Sequence, residues 1–321
     1  MIAAAGRKRF AVVGAGHLGR FHAEKYDFID EADLAAVVDV DEGRARALAS
    51  KYGCEALTDH RALAGRVDAA SVVVPTVLHH RVAKDLLDAG MDVLVEKPIA
   101  TSLAEADDLI RAAQARGAIL QVGHVERFNP ALVTLGSRIR SPRFIESHRL
   151  GSFSGRATDV DVVLDLMIHD LDIIASLVGG ELASVEAVGV PILSENVDIA
   201  NARVKFTGGC IANITASRVS MTPVRKIRIF QPDAYVSIDF IASRIDLYRI
   251  DRSSGAPEIA AEQITIEKSD ALETEIRAFV KSVKTRERPL VSGHEGRLAL
   301  AMAERVRHVL EESLARLEVH P

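Results

Sequence analysis

Short apolar runs alternate with longer helical stretches over the first third of the chain. The runs are rich in β-branched residues and cover residues 10–13, 34–38, 69–74, 93–95 and 119–122. The stretches between them have the period of amphipathic helices and cover residues 18–26, 42–52, 79–89 and 103–116. Apolar strands separated by helices are typical of a parallel sheet that is covered on both faces. The pattern predicts an α/β fold, with a doubly wound Rossmann domain over residues 1–123.

The pattern changes after residue 123. A helix-like segment at 161–178 precedes runs in which apolar and polar residues alternate, and these cover residues 185–190, 199–206, 211–219, 227–230 and 235–240. No helical crossover separates these runs, which indicates a mostly antiparallel open sheet with helices to one side. Two amphipathic helices, 271–284 and 295–317, follow the sheet. We therefore predict a second domain of the α+β type over residues 124–321.

The composition is that of a folded globular protein and excludes several classes of partner. Hydrophobic residues make up 48% of the 321 residues, charged residues make up 26%, and the net charge of −5 is spread along the chain. The chain has no Trp and no cationic patch, so we do not expect it to bind nucleic acid. No window approaches the roughly 20 apolar residues that span a bilayer, and we expect a cytoplasmic protein without membrane contacts. Cys54 and Cys210 lack zinc-site spacing, and no metal is predicted.

The first predicted strand ends in Gly14-Ala15-Gly16-His17-Leu18-Gly19, a G-x-G-x-x-G sequence with a strand before it and a helix after it. In this context the first glycine permits a tight turn, the second lets a pyrophosphate approach the backbone, and the third allows the helix to pack closely. The start of the helix offers free amide groups to the phosphates. We predict that this loop, with His17 and Leu18 included, binds a dinucleotide.

An acidic residue distinguishes between the two common dinucleotides. Asp39 ends the second strand, twenty residues after Gly19, where a carboxylate accepts hydrogen bonds from the adenosine ribose. A carboxylate there also repels a ribose 2′-phosphate, and the arginines nearby, Arg44 and Arg46, come several residues later. The sequence therefore predicts NAD rather than NADP as the cofactor.

Further cofactor contacts are expected where other strands end, because open α/β sheets bind ligands at this edge. Pro75 and Thr76 follow the run at 69–74 and are expected to line the cofactor. His79 opens the next helix, either as a contact to the cofactor or as a capping or solvated histidine. The side chains of His17 and His22 are expected on a helix surface.

Two later motifs carry a resemblance to a known family. Glu96-Lys97-Pro98 and Asp165-x-x-x-His169-Asp170 follow the glycine loop in the order and spacing of that family. Over essentially its whole length the chain resembles the glucose-fructose oxidoreductase, inositol dehydrogenase and rhizopine catabolism family, abbreviated Gfo/Idh/MocA. The resemblance implies nicotinamide-dependent oxidation or reduction of a small-molecule sugar or polyol. It also implies a homodimer or homotetramer formed through the C-terminal sheet.

The resemblance also implies roles for individual residues. Lys97 would be the catalytic lysine, and Asp165 and His169 would bind the substrate and handle its proton. Glu96 and Lys97 would lie beside the cofactor. The Lys97–Pro98 peptide bond would be cis more often than the usual 5 or so per cent of bonds that precede proline.

Finer features resemble one branch of the family, the UDP-N-acetylglucosamine 3-dehydrogenases. They are the strings GHVERFNP, VVLDLMIHDLDI, VDIANARVKF and ANITASRVS, which begin at Gly123, Val162, Val197 and Ala212. This resemblance implies that the 3-hydroxyl of a sugar nucleotide is oxidised to a ketone, as in the formation of 3-amino sugars for lipid A.

The residue types fit the oxidation of a secondary alcohol, in which a proton leaves oxygen while hydride leaves carbon. Lys97 and His169 are both suitable proton acceptors, and the sequence leaves the choice between them open. Four polar residues recur at helical spacing on an otherwise apolar segment: Asp161, Asp165, His169 and Asp172. Asp165 lies one turn before His169 and can orient its ring or bind a substrate hydroxyl. Asp170 points elsewhere and is expected to be structural.

Arginine and amide side chains early in the second domain are candidates for binding the substrate. Arg127 and Asn129 rank first because they directly follow the last strand of the Rossmann domain. Arg149 and Arg218 are further candidates for holding a diphosphate, since guanidinium groups match phosphate geometry.

Two other functions are compatible with the sequence. One is a dehydrogenase of a free cyclic polyol such as inositol. The other is a non-catalytic, NAD-sensing regulator on the same scaffold. Because Lys97, Asp165 and His169 are present together, the prediction favours an enzyme.

Overall fold

The computed structural model describes residues 6–153, 160–251 and 258–319. The chain forms two compact units. The first consists of Met1–Phe128 and Asp270–Arg297, and the second consists of Asn129–Ser269 and Leu298–Pro321.

The first unit contains a six-stranded sheet. Its strands are β1 (Lys8–Val13), β2 (Ala32–Val38), β3 (Glu55–Leu57), β4 (Ala69–Val72), β5 (Asp92–Glu96) and β6 (Leu120–Gly123). All neighbouring strands are parallel, in the order β3-β2-β1-β4-β5-β6. Because this is the strand order of the Rossmann fold, the fold predicted for the N-terminal part of the chain is confirmed.

Four helices connect these strands, and their ends follow from capping residues. They are α1 (His17–Phe28), α2 (Glu42–Tyr52), α3 (His79–Asp88) and α4 (Leu103–Arg116). The Ser102 side chain accepts a hydrogen bond from the Glu105 amide at the start of α4, and Gly117 ends this helix at a φ of 61°. The strand, helix and cap positions therefore agree with local sequence signals.

The second unit contains an eight-stranded sheet. Its strands are β7 (Phe144–Leu150), β8 (Leu182–Val190), β9 (Ile199–Phe206), β10 (Ile211–Ser217), β11 (Val224–Gln231), β12 (Ala234–Asp239), β13 (Arg244–Asp251) and β14 (Glu258–Thr265). The order is β14-β13-β12-β11-β7-β10-β9-β8. Every pair is antiparallel except β7 with β10, which is parallel. The mostly antiparallel open sheet is confirmed.

The helix predicted at 161–178 has two parts. Residues Val163–Met167 form a π-helix, which leads directly into an α-helix, α6 (Ile168–Val178). A short helix, α5 (Pro130–Leu135), precedes the sheet. The π-helical turn changes the spacing of side chains where Asp165 lies, and such turns are frequent at functional sites.

Strand β7 lies at the centre of the sheet, but its sequence lacks the alternation of apolar and polar residues that is typical of a strand with one buried face. The inward-facing positions are Ile145, Ser147 and Arg149, all of which are buried. Ser147 and Arg149 donate hydrogen bonds to the Asp170 carboxylate on α6, at 2.9 and 2.7 Å. Two polar residues are therefore buried at positions where an apolar residue would have revealed the strand.

Two helices complete the chain, α7 (Ala271–Thr285) and α8 (Gly293–Val319). Ile276, Phe279 and Val283 of α7 pack in the core of the first unit beside Phe10 and Tyr26. The contacts place Asp270–Arg297 with the Rossmann sheet, whereas the sequence-based division placed this stretch in the second domain.

Candidate functional site

The three glycines of the loop after β1 meet different surroundings. Gly14 has a φ of 108°, and a β-carbon there would lie 2.3 Å from the Val73 carbonyl oxygen. A β-carbon on Gly19 would lie 1.8 Å from the Gly14 carbonyl oxygen, so this glycine lets α1 pack against the loop. A β-carbon on Gly16 would meet no atom within 4 Å, so the space above this residue is open. These surroundings are those that a turn glycine, a packing glycine and a phosphate-facing glycine require.

Asp39 is tied to the glycine loop. Its carboxylate oxygens accept hydrogen bonds from the Ala15 amide at 2.8 Å and from the Asp41 amide at 2.9 Å. Arg44 approaches the same carboxylate at 3.2 Å. Asp39 is 9% exposed. The carboxylate thus fixes the glycine loop through a hydrogen bond from its backbone.

Several predicted cofactor residues line one cavity of about 330 Å³ in the first unit. Gly14, Gly16, Asp39 and Pro75 contribute to its wall. Thr76 begins a short 3₁₀ turn, Thr76–Leu78, directly after Pro75. The residues present fit an NAD molecule, because the open space at Gly16 and the acidic Asp39 occur in the same cavity.

The two histidines of α1 differ in their surroundings. His17 and Leu18 are exposed at the start of the helix, as expected for His17. His22 was expected on the surface, and this prediction is wrong. Its side chain is fully buried, and its Nε2 lies 3.1 Å from a carboxylate oxygen of Glu96. The error arises because this face of α1 packs against the end of β5, which follows 74 residues later.

Lys97 follows β5 directly and is half-buried. Its peptide bond to Pro98 is cis, as the family resemblance led us to expect. The backbone amide of Lys97 lies 3.3 Å from the Glu96 carboxylate. That carboxylate also lies over Gly123, where a β-carbon would come within 2.9 Å of it. Sequence reasoning missed the contributions of His22 and Gly123, since neither stands near Lys97 in sequence.

Burial opposes ionisation of Glu96, but the hydrogen bond and charge of His22 outweigh it, together with the charge of Lys97. The pKa of the Glu96 carboxyl is therefore lowered. Glu96 is an anion at neutral pH and accepts a hydrogen bond from His22.

His79 is neither solvated nor a helix cap. Its ring is buried, with Nδ1 2.8 Å from the Pro98 carbonyl oxygen and Nε2 2.9 Å from the Val74 carbonyl oxygen. Burial lowers the pKa of the His79 ring by more than its two hydrogen bonds to carbonyl groups raise it. The ring is therefore neutral at neutral pH.

The predicted catalytic residues of the second unit lie around the junction between the π-helix and α6. Asp165 is in the π-helix, His169 is the second residue of α6, and both are half-buried. Asp161 has a structural task, since its carboxylate accepts hydrogen bonds from the Val163 and Leu164 amides at 3.0 Å.

The neighbour of His169 fixes this helix to the sheet. Asp170 is buried and receives Arg149 and Ser147 from β7. The expectation that Asp170 is structural is thereby confirmed.

Two arginines proposed for a diphosphate have other partners. Arg149 is 4% exposed and pairs with Asp170, while Arg218 is 5% exposed and pairs with Asp198 at 2.7 Å. A buried guanidinium that already pairs with a carboxylate is not available to a diphosphate. The suggestion that Arg149 and Arg218 hold the substrate is therefore wrong.

The other two substrate candidates lie two residues apart in sequence and belong to different units. Arg127 belongs to a 3₁₀ turn, Val125–Phe128, and is half-buried. The Asn129 side-chain oxygen accepts a hydrogen bond from the Ala131 amide, which caps α5. Asn129 therefore has a capping role whether or not it contacts a substrate.

The predicted catalytic residues are divided between the units: Lys97 lies in the first, and Asp165 and His169 lie in the second. Within the described ranges, no three His, Cys, Asp or Glu side chains are grouped so that they could hold a metal ion. None of the helices in the described part of the chain is long and apolar enough to cross a membrane.

Comparisons with known proteins identify relatives that match nearly the whole chain. A UDP-N-acetylglucosamine 3-dehydrogenase from Acidithiobacillus ferrooxidans is 40% identical over 311 residues, which cover 96% of this chain and 99% of the relative. A solved structure of the enzyme from that organism matches at 39% identity with a TM-score of 0.90, covering 95% of this chain and 98% of the other. A myo-inositol 2-dehydrogenase from Thermotoga maritima is 28% identical over 323 residues, covering 95% of this chain and 96% of the relative.

Family models match both parts of the chain. Residues 8–124 match the model of an oxidoreductase family with an NAD-binding Rossmann fold, and residues 133–234 match the model of the GFO/IDH/MocA C-terminal domain. The first match agrees with NAD as the cofactor. The chain therefore belongs to the GFO/IDH/MocA family of NAD-dependent oxidoreductases.

Proposed function

We propose that this protein oxidises the 3-hydroxyl of UDP-N-acetylglucosamine to the 3-keto sugar nucleotide. The observation that carries the proposal is the 40% identity, over nearly the full length of both chains, to the enzyme of that name from Acidithiobacillus ferrooxidans. Lys97, Asp165 and His169 add to it, because they supply the residue types that the oxidation of an alcohol needs.

NAD, when bound, accepts the hydride that leaves the carbinol carbon. The chain must then stabilise the oxygen from which the proton leaves. In this proposal either the Lys97 ammonium lowers the pKa of the substrate hydroxyl and His169 takes the proton, or Lys97 in its neutral amine form takes the proton itself. Asp165 orients the His169 ring or binds a neighbouring hydroxyl.

The cofactor contacts are proposed from the first unit. The loop amides between Gly14 and Gly19 would hold the pyrophosphate, with His17 and Leu18 contributing as part of the loop. Asp39 would accept the adenosine ribose hydroxyls. The remaining contacts are assigned to the strand ends, and the residues are Pro75, Thr76, Glu96 and Lys97. The His79 ring is not among them, because it is buried between the carbonyl groups of Val74 and Pro98. Arg127 and Asn129 stay candidates for binding the substrate.

A substrate labelled with deuterium tests both the sugar and the carbon. The purified protein is incubated with NAD and UDP-N-acetylglucosamine while reduced cofactor is followed by its near-ultraviolet absorbance. We expect reduction, and we expect deuterium to appear in NADH when the sugar carries it at C3 but not when it carries it at C4. Deuterium transfer from C4 alone would contradict the proposed position of oxidation.

A free cyclic polyol is the second candidate substrate. It is supported by the myo-inositol 2-dehydrogenase of Thermotoga maritima, which matches nearly the whole chain at 28% identity. Inositols and other polyols belong in the same assay as the UDP-sugars. Faster turnover of inositol than of any UDP-sugar would favour this candidate. If NADH binds but no sugar or polyol is turned over, the protein is better described as an NAD-sensing regulator.

NAD should bind at least about tenfold more tightly than NADP, a difference of about 1.4 kcal/mol. The reason is that two backbone amides fix the Asp39 carboxylate at the position that a 2′-phosphate would approach. Fluorescence titrations with NADH and NADPH measure the ratio. Asp39→Asn should lower the ratio of the two affinities, because the uncharged amide does not repel the 2′-phosphate of NADPH. Equal affinities of the unmutated protein for the two cofactors would contradict the prediction.

We also propose that the outer face of the second sheet is buried between copies of this chain. An aromatic row crosses four strands on this face. Its members stand opposite one another in the strand register, and they are Phe144, Phe230, Tyr235 and Tyr248. Adjacent rings are 4.9 to 5.7 Å apart.

The half-buried Asn213 and Thr215 of β10 lie on the same face, since they pair in register with Glu146 and His148. A row of apolar rings beside polar residues is typical of a protein interface.

Light scattering at micromolar concentration should therefore give the mass of a dimer or a tetramer. Tyr235→Arg should lower that mass, because it places a charge in the middle of the aromatic row. Phe28→Arg is the matched control, since Phe28 is 67% exposed on α1 of the first unit and should leave the mass unchanged. A monomer for the unmutated protein would contradict the proposed interface.

A further inference from the structure

Lys97 stands between two residues that are each held by a buried histidine. The residue before it, Glu96, contacts His22 of α1. The residue after it, Pro98, contacts His79 of α3. The two histidines are far apart in sequence and come from different helices, yet both act on this one tripeptide of the first unit.

Two hydrogen bonds fix the Glu96 carboxylate, and a glycine leaves room for it. His22 reaches one carboxylate oxygen through Nε2 at 3.1 Å, and the other oxygen accepts the Lys97 amide at 3.3 Å. Gly123 of β6 leaves room for the carboxylate, since any β-carbon there would come within 2.9 Å of it. Because a carboxylate can only accept, the Nε2 atom of His22 carries the proton in this pair.

His79 connects the Pro98 carbonyl to the end of the neighbouring strand. Its Nδ1 lies 2.8 Å from that carbonyl oxygen, and its Nε2 lies 2.9 Å from the carbonyl oxygen of Val74. Both partners can only accept a hydrogen bond. A neutral imidazole has one N–H group and therefore serves one of the two carbonyl groups at a time.

Packing alone does not require histidine at either position. His22 is 0% and His79 is 1% exposed. A buried polar ring costs free energy unless its hydrogen bonds are made, and an apolar side chain of similar size would fill the same space without that cost. Both rings make hydrogen bonds to the residues that flank Lys97. Catalytic groups depend on such supporting contacts, because small displacements are costly to turnover.

We propose that His22 and His79 are positioning residues for Lys97. His22 donates from Nε2 to the Glu96 carboxylate, and His79 donates from Nδ1 to the Pro98 carbonyl, so that the backbone is held on both sides of the lysine. Glu96 then acts through Lys97 rather than on the substrate. This inference rests on the proposed dehydrogenase function, in which Lys97 acts on the substrate hydroxyl.

Amide replacements test the two hydrogen bonds separately. The side-chain NH₂ group of Asn can take the place of Nδ1 of His, and that of Gln can take the place of Nε2. His22→Gln and His79→Asn therefore keep the proposed bond, whereas His22→Asn and His79→Gln lose it. The two positions should show opposite preferences for the same two amino acids, which a general loss of packing would not produce.

We expect His22→Asn and His79→Gln to lower kcat by about tenfold to a hundredfold, and the two bond-keeping variants to stay within about threefold of the unmutated protein. The KM for NAD should change little in all four variants, because the glycine loop and Asp39 are untouched. Melting temperatures are measured alongside. Equal losses of kcat for Asn and Gln at either position, or no loss in any variant, would overturn the proposal.

A second measurement does not depend on turnover. The rate at which Lys97 is acetylated by a soluble acylating reagent is followed by mass spectrometry, with and without NADH. The bond-losing variants should change this rate by at least about threefold, and the bond-keeping variants should not. If this pattern appears while the unmutated protein turns over no sugar or polyol, the proposed function fails and the positioning role stands. If turnover is normal and the pattern is absent from both measurements, the positioning role fails.

Discussion

Lys97→Met should lower turnover by about 10² to 10⁴ while the affinity for NADH stays nearly unchanged. Met matches the length of the lysine stem but has no ammonium group to stabilise an alkoxide or exchange a proton. The contacts proposed for the pyrophosphate and the ribose lie at the glycine loop and Asp39, which the substitution does not alter. Turnover is measured at saturating NAD and UDP-N-acetylglucosamine, with the melting temperature of each variant alongside. His169→Ala should show a loss of similar size.

Lys51→Met is the matched control for this substitution. Lys51 is exposed on α2 of the same unit, so its loss should leave turnover unaffected. If Lys97 only shaped the turn before Pro98, Lys97→Met would change the melting temperature and leave the rate nearly intact. Unchanged turnover would show that Lys97 is not catalytic. His22 and His79 would then have no catalytic lysine to position.

The features that were predicted from the sequence are those that depend on residues close together along the chain. Gly14, Gly16 and Gly19 belong to one loop. The space around each glycine in the structure matches the role that its position in the G-x-G-x-x-G motif predicts. Asp39 was predicted because it lies at the end of the predicted strand next to β1, directly after the last residue of β2. Its bond to the Ala15 amide adds a second role, which the spacing alone did not indicate.

The contacts behind Lys97 could not be predicted in this way. His22 precedes Glu96 by 74 residues, and the two meet only once the strand order has brought the end of β5 under α1. His79 opens a helix, where an exposed histidine is equally ordinary in sequence. A buried histidine can be recognised only when the group that forms a hydrogen bond with its ring is known.

Two elements of the second unit were not predicted from the sequence: strand β7 and the π-helix. The inward positions of β7 carry Ser147 and Arg149, which become core residues only because Asp170 receives them. The extra residue of a π-helical turn leaves the apolar period of Val163–Met167 nearly intact, so the sequence predicted one continuous α-helix. Polar residues that satisfy one another across the chain are thus the main source of error, for the fold and for the site.

Alanine at two of the loop glycines should separate the folding of the first unit from its binding of NAD. At Gly19 the new methyl group would lie 1.8 Å from the Gly14 carbonyl oxygen, so α1 must move away from the loop. Overpacking of this kind costs about 1–3 kcal/mol, and Gly19→Ala should therefore lower the melting temperature without ligand. At Gly16 the methyl group would meet no atom within 4 Å, and φ is −77°, which alanine adopts freely. Gly16→Ala should therefore melt like the unmutated protein.

The same methyl group at Gly16 would occupy the space that the pyrophosphate needs, so Gly16→Ala should weaken NADH binding by about a hundredfold, or about 2.7 kcal/mol. Melting curves with and without NADH measure both effects, because a ligand that binds the folded protein stabilises it by RT ln(1 + [L]/Kd), where [L] is the concentration of free ligand. The unmutated protein should gain stability from NADH, and Gly16→Ala should gain almost none. A Gly16→Ala variant that is stabilised as strongly as the unmutated protein would show that the pyrophosphate does not approach this glycine. The assignment of the cavity beside Asp39 to the cofactor would then have to be abandoned.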